Sequence, residues 1–302
     1  MPKLRFALFG NLYQPKKSVL VKKLLCALEE HGAEVIIDRP FHEYLTQQLM
    51  LDITPTSLID DDNFRADYAV SMGGDGTFLQ TASRVGNKGI PILGINMGRM
   101  GFLADISADE IDQVVDNIYE GHFREEERSV LQVEFSSAHP AEKPDTMPYP
   151  FALNEVAVLK RDNSSMISIR VDVDGEYLTT YQADGLIINT PTGSTGYALS
   201  VGGPIMSPES HELGITPVAP HSLNMRPISL PDHVVVNLTI GSRNHNFLVA
   251  IDGRSQACTE DVRLTIRRAP YSISVLKRPE SSFFRTLRTK LAWGTDVRTE
   301  NR

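Results

Sequence analysis

The sequence predicts an N-terminal α/β domain with a parallel sheet, followed by a β-rich C-terminal domain and a last helix. Up to residue 129, short apolar runs alternate with stretches of helical period, the pattern of strand–helix–strand units. After residue 129, short strand-like runs follow one another without a regular helix. A length of 302 residues suits two domains. We therefore expect domains at 1–129 and 130–281, and a C-terminal helix within 282–302.

In the first domain, strands and helices are predicted to alternate. The helical period of residues 16–31 ends before Gly32, and glycine commonly follows the end of a helix. Residues 41–63 are interpreted as an amphipathic piece followed by a polar loop. The pattern predicts strands at 4–10, 34–37, 68–72 and 90–95, and helices at 16–31, 78–85 and 108–119.

In the second domain, the strand-like runs are short and closely spaced. Residues 139–150 are rich in proline and are predicted to form a loop, and residues 282–293 carry the period of an amphipathic helix. Strands are predicted at 130–135, 151–160, 166–173, 186–189, 234–240, 247–251, 262–267 and 272–276.

Composition and charge exclude several classes of function. The net charge is -8, and such a surface repels a nucleic-acid backbone, so no nucleic-acid partner is expected. No run approaches the roughly 18 apolar residues that a membrane span needs, so no membrane partner is expected. The two cysteines, Cys26 and Cys258, are predicted to be free thiols in a reducing compartment, with one disulfide between them as the alternative, and the cytoplasm is the expected location. The eight histidines show no metal spacing, so no metal ligand is predicted.

The loop from Gly73 to Thr77 is the strongest candidate for a catalytic centre. It joins a predicted strand to a predicted helix, and Gly73, Gly74 and Gly76 allow close approach of a phosphate to exposed N–H groups. Thr77 is expected to cap the helix. Asp75 fits two tasks, accepting a proton from an attacking hydroxyl or holding a divalent cation. The alternative is a tight turn in which Asp75 caps the helix.

Two established nucleotide motifs do not describe this loop. No Gly-Lys-Ser/Thr follows its glycines, so it is not a Walker A loop, and it lacks the G-x-G-x-x-G spacing of a Rossmann turn. Any dinucleotide ligand would therefore be bound in another way.

Asn154 and Glu155 interrupt the apolar run 151–159. Adjacent strand residues face opposite sides, so one of the two should face the core, where an unpaired polar group is unfavourable. The hydroxyls of a ribose would provide partners for both. The alternative is a bulge or a strand end.

A segment rich in hydroxyls and glycine, residues 190–200, follows the apolar run 185–188. It suits a second nucleotide contact, with a plain turn as the alternative. Asp184, just before this run, is interpreted as a partner for a ligand amide or a basic group, or as a solvated turn carboxylate.

Together with the loop Asn96-x-Gly98-x-x-Gly101, these segments resemble, in the same order, the bacterial NAD kinase family. The resemblance covers residues 4–293 and implies a last helix that returns to the first domain. It makes Asp75 the catalytic proton acceptor and Gly73, Gly74 and Thr77 the phosphate loop. The NAD-binding residues that it implies are Asp75, Gly76, Asn154, Glu155, Ser165, Gln182, Asp184, Thr195, Gly196, Tyr197, Ala198, Leu199, Ser200 and Arg254.

The same resemblance implies the reaction and the partners. The γ-phosphoryl group of ATP would pass to the 2′-hydroxyl of the adenosine ribose of NAD, with a divalent cation, Mg²⁺, carried in by ATP. The second domain would bind nucleotide and form a homo-oligomer, a tetramer being favoured. Two rival interpretations are a lipid or sugar kinase that shares the first loop, and an NADP(H)-sensing protein that needs no base.

Overall fold

The computed structural model describes residues 3–12, 18–98, 101–104, 106–107, 110–137, 147–161 and 165–294. The chain divides into two compact units, Met1–Glu127 with Ile273–Arg302, and Arg128–Ser272. The predicted domain bounds at 129 and 281 stay a prediction. Within the described ranges, none of the helices has the length and apolar character needed to cross a bilayer.

The first unit alternates strands and helices, as the apolar pattern predicts. Its elements are β1 (Arg5–Gly10), α1 (Ser18–Glu30), β2 (Glu34–Asp38), α2 (Arg39–Glu43), a π-helical turn (Tyr44–Gln48), β3 (Ser57–Ile59), β4 (Tyr68–Gly73), α3 (Asp75–Val85), a 3₁₀ turn (Gly86–Lys88), β5 (Ile92–Asn96) and α4 (Ile111–Tyr119), and β6 (Arg124–Ser137) begins here.

The sheet of the first unit is parallel and has the order β3-β2-β1-β4-β5. Apolar residues of the strands, such as Leu8, Val70 and Leu93, pack in one core with residues of α1 and α4, such as Leu24 and Val115. At the carboxyl edge, Gly73 of β4 pairs with Asn96 of β5. Because parallel strands all end at one edge, the loops after β4 and β5 start side by side.

The second unit consists almost entirely of antiparallel strands. Its elements are β7 (Phe151–Ala152), β8 (Glu155–Lys160), β9 (Ile167–Val173), β10 (Glu176–Ala183), β11 (Gly185–Asn189), a 3₁₀ turn (Thr192–Thr195), α5 (Tyr197–Ser200), β12 (Glu212–Val218), β13 (Ile228–Pro231), β14 (Val236–Gly241), β15 (Asn246–Ile251), β16 (Arg254–Thr259) and β17 (Val262–Lys277). The last helix, α6 (Phe283–Leu291), follows β17 and belongs to the first unit.

Two layers enclose the core of the second unit. One is a six-stranded sheet with the order β13-β12-β11-β8-β15-β16, and in the other β10, β9, β14 and β17 are neighbours. Inward-facing apolar residues of both layers, such as Val158 and Val249 from the first and Ile169 and Leu238 from the second, form one cluster. The predicted fold class, an α/β domain followed by a β-rich domain, is therefore confirmed.

The sequence pattern missed five strands and divided one continuous strand into two. The polar loop predicted within 41–63 contains the short strand β3, and β10, β12, β13 and β16 were not predicted. Strand β10 alternates weakly because three residues at its start are exposed, and β16 lies at a sheet edge and carries mostly polar residues. The predicted strands at 262–267 and 272–276 are one strand, β17. The proline-rich loop, over residues 138–146, and the first residues of two predicted helices, 16–17 and 108–109, lie outside the described residues.

Candidate functional site

The Gly-Gly-Asp-Gly-Thr loop is the junction of β4 and α3. The helix begins at Asp75, Gly74 is its N-cap in an extended conformation, and no side chain bonds the cap. The prediction that Thr77 caps the helix is therefore wrong, because the helix begins two residues before it. Thr77 is buried instead, and a Cβ on Gly73 would lie 2.2 Å from its Oγ1, so this close packing requires glycine at position 73.

Asp75 ties the loop after β4 to the loop after β5. Its Oδ2 accepts a hydrogen bond from the Phe102 N–H at 2.8 Å, and its Oδ1 accepts from Leu103 at 2.9 Å and from Ala104 at 3.5 Å. A Cβ on Gly101 would lie 1.9 Å from Oδ1, so glycine is required there as well. The helix-cap alternative for Asp75 is wrong, since the residue lies in the first turn and bonds the other loop. A carboxylate has about four acceptor positions, so capacity for a ligand hydroxyl remains.

The last residue of β17 and the residue after it hold the same loop from another direction. Lys277 is 5% exposed, and its Nζ lies 3.5 Å from the carbonyl oxygen of Leu103. Arg278 forms an ion pair with Glu110, whose carboxylate also accepts the Ser107 N–H at 2.8 Å. Sequence reasoning missed Lys277, although a lysine that directly continues an apolar strand signals a buried cation.

In the second unit, Asn154 and Glu155 lie where β7 ends and β8 begins. The predicted continuous strand 151–160 is thus interrupted, as the strand-end alternative required. Asn154 Oδ1 and Glu155 Oε2 are nevertheless buried and accept no hydrogen bond from the described part of the chain. An unpaired buried polar atom costs about 1–3 kcal/mol, so both oxygens are positions for donors from a ligand.

The carboxyl of Glu155 is only weakly acidic in this environment. The pKa of Glu155 is raised to about 7, mainly because the carboxyl is buried and also because the Asp252 carboxylate lies nearby. A hydrogen bond from the Tyr197 backbone acts in the opposite direction. Near neutral pH this carboxyl is therefore divided between its protonated and ionised forms, and a hydroxyl donor would favour the ionised one.

The hydroxyl- and glycine-rich segment packs directly on this strand end. Thr190 donates from its N–H to the Asn154 carbonyl at 2.9 Å and from Oγ1 to the Leu153 carbonyl at 2.6 Å. A Cβ on Gly193 would lie 2.0 Å from the Asn154 carbonyl oxygen, and one on Gly196 would lie 2.8 Å from Glu155 Oε2. The predicted second nucleotide segment and the Asn154–Glu155 pair therefore form one arrangement.

Replacing Gly196 by Ala is expected to displace the Glu155 carboxyl and to weaken ligand binding at this strand end about tenfold, roughly 1.4 kcal/mol. The φ of Gly196 is -92°, outside the positive range that favours glycine, and the melting temperature is measured alongside binding to separate a folding defect from lost binding. Gly241→Ala is the matched control, because a Cβ there would make an ordinary contact of 3.8 Å with Ser168. Equal ligand affinities for both variants would contradict the packing of Gly196 against a binding group.

Asp252 is a site residue that sequence reasoning missed. It begins the turn between β15 and β16, and its carboxylate accepts the N–H groups of Leu153 at 2.7 Å, Asn154 at 2.8 Å and Glu155 at 3.1 Å. The signal was the dipeptide Asp252-Gly253, which is typical of a two-residue hairpin turn. It was missed because β16 was not predicted.

The other predicted site residues have partners within their own unit. Asp184 lies between β10 and β11, and its Oδ1 is 2.7 Å from Lys160 Nζ, which matches the predicted pairing with a basic group. Gln182 is exposed and donates to Ser168 Oγ at 3.0 Å, and Ser165 is half-buried before β9. The guanidinium of Arg254 donates hydrogen bonds to the Tyr149 and Phe151 carbonyls.

The predicted adenine-binding segment, residues 195–200, is partly accessible to solvent. Thr195, Gly196 and Leu199 are half-buried, Tyr197 and Ser200 are exposed, and Ala198 is buried.

Ionisable groups do not assemble into a metal cage in the part of the chain that the structure describes. No group of three or more His, Cys, Asp or Glu side chains there could hold a metal ion. Both cysteines are free, Cys26 exposed and Cys258 buried.

A parallel α/β unit that carries a Gly-Gly-Asp-Gly-Thr loop, combined with a β-rich unit, defines a kinase of the group that shares this loop. Family models for the N-terminal and C-terminal domains of ATP-NAD kinase match residues 6–123 and 153–278. An NAD kinase from Bacteroides fragilis is 57% identical over 98% of this chain and 100% of its own length. One from Porphyromonas gingivalis is 40% identical over 97% and 99%.

Solved structures agree with the family models. A crystal structure of yeast NADH kinase complexed with NADH shares the fold with a TM-score of 0.86 at 24% identity, covering 98% of this chain and 89% of that one. An NAD kinase from Archaeoglobus fulgidus in complex with ATP has a TM-score of 0.72 at 26% identity, covering 96% and 99%. The chain belongs to the ATP-NAD kinase family. The predicted resemblance is confirmed, and the lipid- or sugar-kinase and sensor interpretations are rejected.

Proposed function

We propose that this chain transfers the γ-phosphoryl group of ATP to the 2′-hydroxyl of the adenosine ribose of NAD, giving NADP and ADP. The observation that carries the acceptor site is the pair of buried, unpaired oxygens on Asn154 and Glu155, whose missing partners are hydroxyl or amide donors. Phosphoryl transfer asks little covalent chemistry of the protein, so positioning and charge neutralisation dominate.

Asp75 is the proposed general base. As the new bond forms between the ribose oxygen and γ-phosphorus, the hydroxyl proton passes to the Asp75 carboxylate, and the bond to the ADP oxygen breaks. The three backbone N–H groups from Phe102 to Ala104 fix the direction of that carboxylate. Apart from the chain neighbours of each glycine and the backbone of α3 itself, no described residue has an atom within 4 Å of a Cβ placed on Gly74 or Gly76, which supports access of phosphate to their backbone.

NAD is proposed to bind mainly to the second unit. Asn154 and Glu155 accept hydrogen bonds from a ribose, Asp184 contacts the nicotinamide side, and Ser165 and Gln182 make additional contacts. The adenine end is lined by Thr195, Gly196, Tyr197, Ala198, Leu199 and Ser200. The close packing of Gly193 and Gly196 on the Asn154–Glu155 pair supports this assignment.

A divalent cation, Mg²⁺, is proposed to enter with ATP and to neutralise its phosphates. The donor set fits a cation held mainly by the nucleotide, because the Asp75 carboxylate already accepts three N–H groups and the described residues offer no cluster of three ligands. The cytoplasm, where ATP and NAD are available, is the proposed location.

A homo-oligomer, most simply a tetramer, is proposed from the family resemblance. Light scattering at working concentration is expected to give about four times the 33.5 kDa mass of the chain. A single species of 33.5 kDa across the concentration range would contradict the oligomer.

The proposed reaction is tested with a panel of acceptors. The protein is incubated with Mg-ATP and, separately, NAD, a diacylglycerol in vesicles, or a hexose phosphate, and each mixture is assayed for ADP and phosphorylated acceptor. Only NAD is expected to release ADP in step with product. ADP release with NAD absent but lipid or sugar present would overturn the proposal.

A further inference from the structure

The hairpin turn at Asp252-Gly253 and the first residue of β16, Arg254, place an acidic and a basic side chain next to the same short segment of the chain. Asp252 and Gly253 have φ values of +46° and +79°, the left-handed pair of a two-residue hairpin turn. The turn holds a non-glycine residue in a region that such residues rarely adopt. It thereby places the side chains of Asp252 and Arg254 against the chain from Tyr149 to Glu155.

Arg254 binds the first part of that segment. Its two terminal nitrogens donate to the carbonyl oxygens of Tyr149 at 2.8 Å and Phe151 at 2.7 Å, and its guanidinium lies 5.0 Å from the centre of the Tyr149 ring. The Tyr149 hydroxyl is in turn 2.7 Å from that of Tyr271. The planar guanidinium of arginine can donate to two carbonyls while it stacks on an aromatic ring. The single ammonium of lysine cannot reproduce these contacts.

Asp252 binds the last part of the segment. Its carboxylate accepts all three consecutive N–H groups from Leu153 to Glu155, and its own N–H donates to the Glu155 carbonyl at 3.1 Å. The backbone of the strand end is thus fully engaged on this side. Asn154 Oδ1 and Glu155 Oε2 remain as acceptors for a ligand.

We propose that Arg254 is a positioning residue: together with Asp252 it fixes residues 149–155, so that Asn154 and Glu155 present their unpaired oxygens to the ribose of NAD, and it does not itself touch the dinucleotide. The proposal rests on the proposed function of Asn154 and Glu155. It departs from the direct NAD contact that the family resemblance implied for Arg254: two of its five N–H donors bond backbone carbonyls of this segment, and the double-mutant cycle below distinguishes positioning from direct contact.

Arg254→Gln is expected to raise the KM for NAD about tenfold, as a lost pair of charge-assisted hydrogen bonds predicts, with the KM for ATP within about twofold of wild type. Arg254→Lys should recover only part of this loss. Arg170→Gln is the matched control, since Arg170 also stacks on a tyrosine, 4.7 Å from the Tyr177 ring, and bonds a neighbouring Asp172. An unchanged KM for NAD in both Arg254 variants would overturn the proposal.

A double-mutant cycle with Asn154→Ala separates positioning from direct contact. If Arg254 acts through the strand end, its replacement should change the KM for NAD much less in the Asn154→Ala background than in wild type. Additive effects would show that Arg254 acts independently of Asn154 and would overturn the proposal. An Asn154→Ala variant with wild-type KM would instead contradict the ribose site itself, so the two failures are distinguishable.

Discussion

Replacing Asp75 by Asn is expected to lower turnover by about 10²–10⁴-fold, while the dissociation constant for NAD changes little. The amide cannot accept the proton of the attacking hydroxyl, whereas the second unit keeps its binding groups. Turnover, NAD affinity and melting temperature are to be measured on the same preparation, because Asp75 also accepts three backbone hydrogen bonds. Near-normal turnover would exclude a catalytic role for this carboxylate.

The control for Asp75→Asn must loosen the same loop and leave the carboxylate in place. Lys277→Met does so, because it removes the ammonium beside the Leu103 carbonyl and keeps an unbranched side chain that is one atom shorter. Its turnover is expected to fall by about tenfold, which is far less than for Asp75→Asn. Equal losses in the two variants would show that Asp75 matters through the position of the loop after β5.

Glu155→Gln is expected to have opposite effects on binding and on stability. The amide keeps the shape but loses the charge that a ribose hydroxyl would bond, so NAD affinity should fall roughly 10 to 150-fold. In the free enzyme, by contrast, the ionised carboxyl is unfavourable because burial and Asp252 raise its pKa to about 7. Removing that charge should stabilise the fold by on the order of 2 kcal/mol at pH 8.

The stability gain of Glu155→Gln has a defined pH dependence. Folding raises the pKa of Glu155 from 4.5 to about 7. The free energy of unfolding of the wild-type protein therefore falls as the pH rises from 4.5 through 7. The difference in melting temperature between variant and wild type should therefore be near zero at pH 4.5 and largest above pH 7. A variant less stable than wild type at pH 8, with unchanged NAD affinity, would show that the carboxyl only completes the strand end.

Local patterns predicted the parts of the fold that depend on neighbouring residues. The strand–Gly-Gly-Asp-Gly-Thr–helix arrangement could be predicted because β4 is apolar except for Ser71 and ends at Gly73, the first glycine of the loop. Polar edge strands such as β16 were not readable, because their stability comes from pairing with a distant strand and not from their own composition.

The site was only partly predictable for a related reason. Asp75 was identified as the informative residue, but its partner Phe102 lies 27 residues further along the chain. Asp252 lies 98 residues from Asn154, and no spacing rule connects a hairpin turn to a strand end at that separation. The sequence thus identified candidate site residues, and only the folded chain showed which residues hold them in place.

The position of the transferred phosphoryl group is the most direct test of the proposed reaction. Wild-type protein is incubated with Mg-ATP and NAD, and the purified dinucleotide product is analysed by NMR for coupling between the new phosphorus and the ribose protons. We expect a single new phosphomonoester coupled to H2′ of the adenosine ribose, and no such product from Asp75→Asn within the same time. Coupling to H3′ or to the nicotinamide ribose, or the absence of a new phosphomonoester, would contradict phosphorylation of the adenosine 2′-hydroxyl.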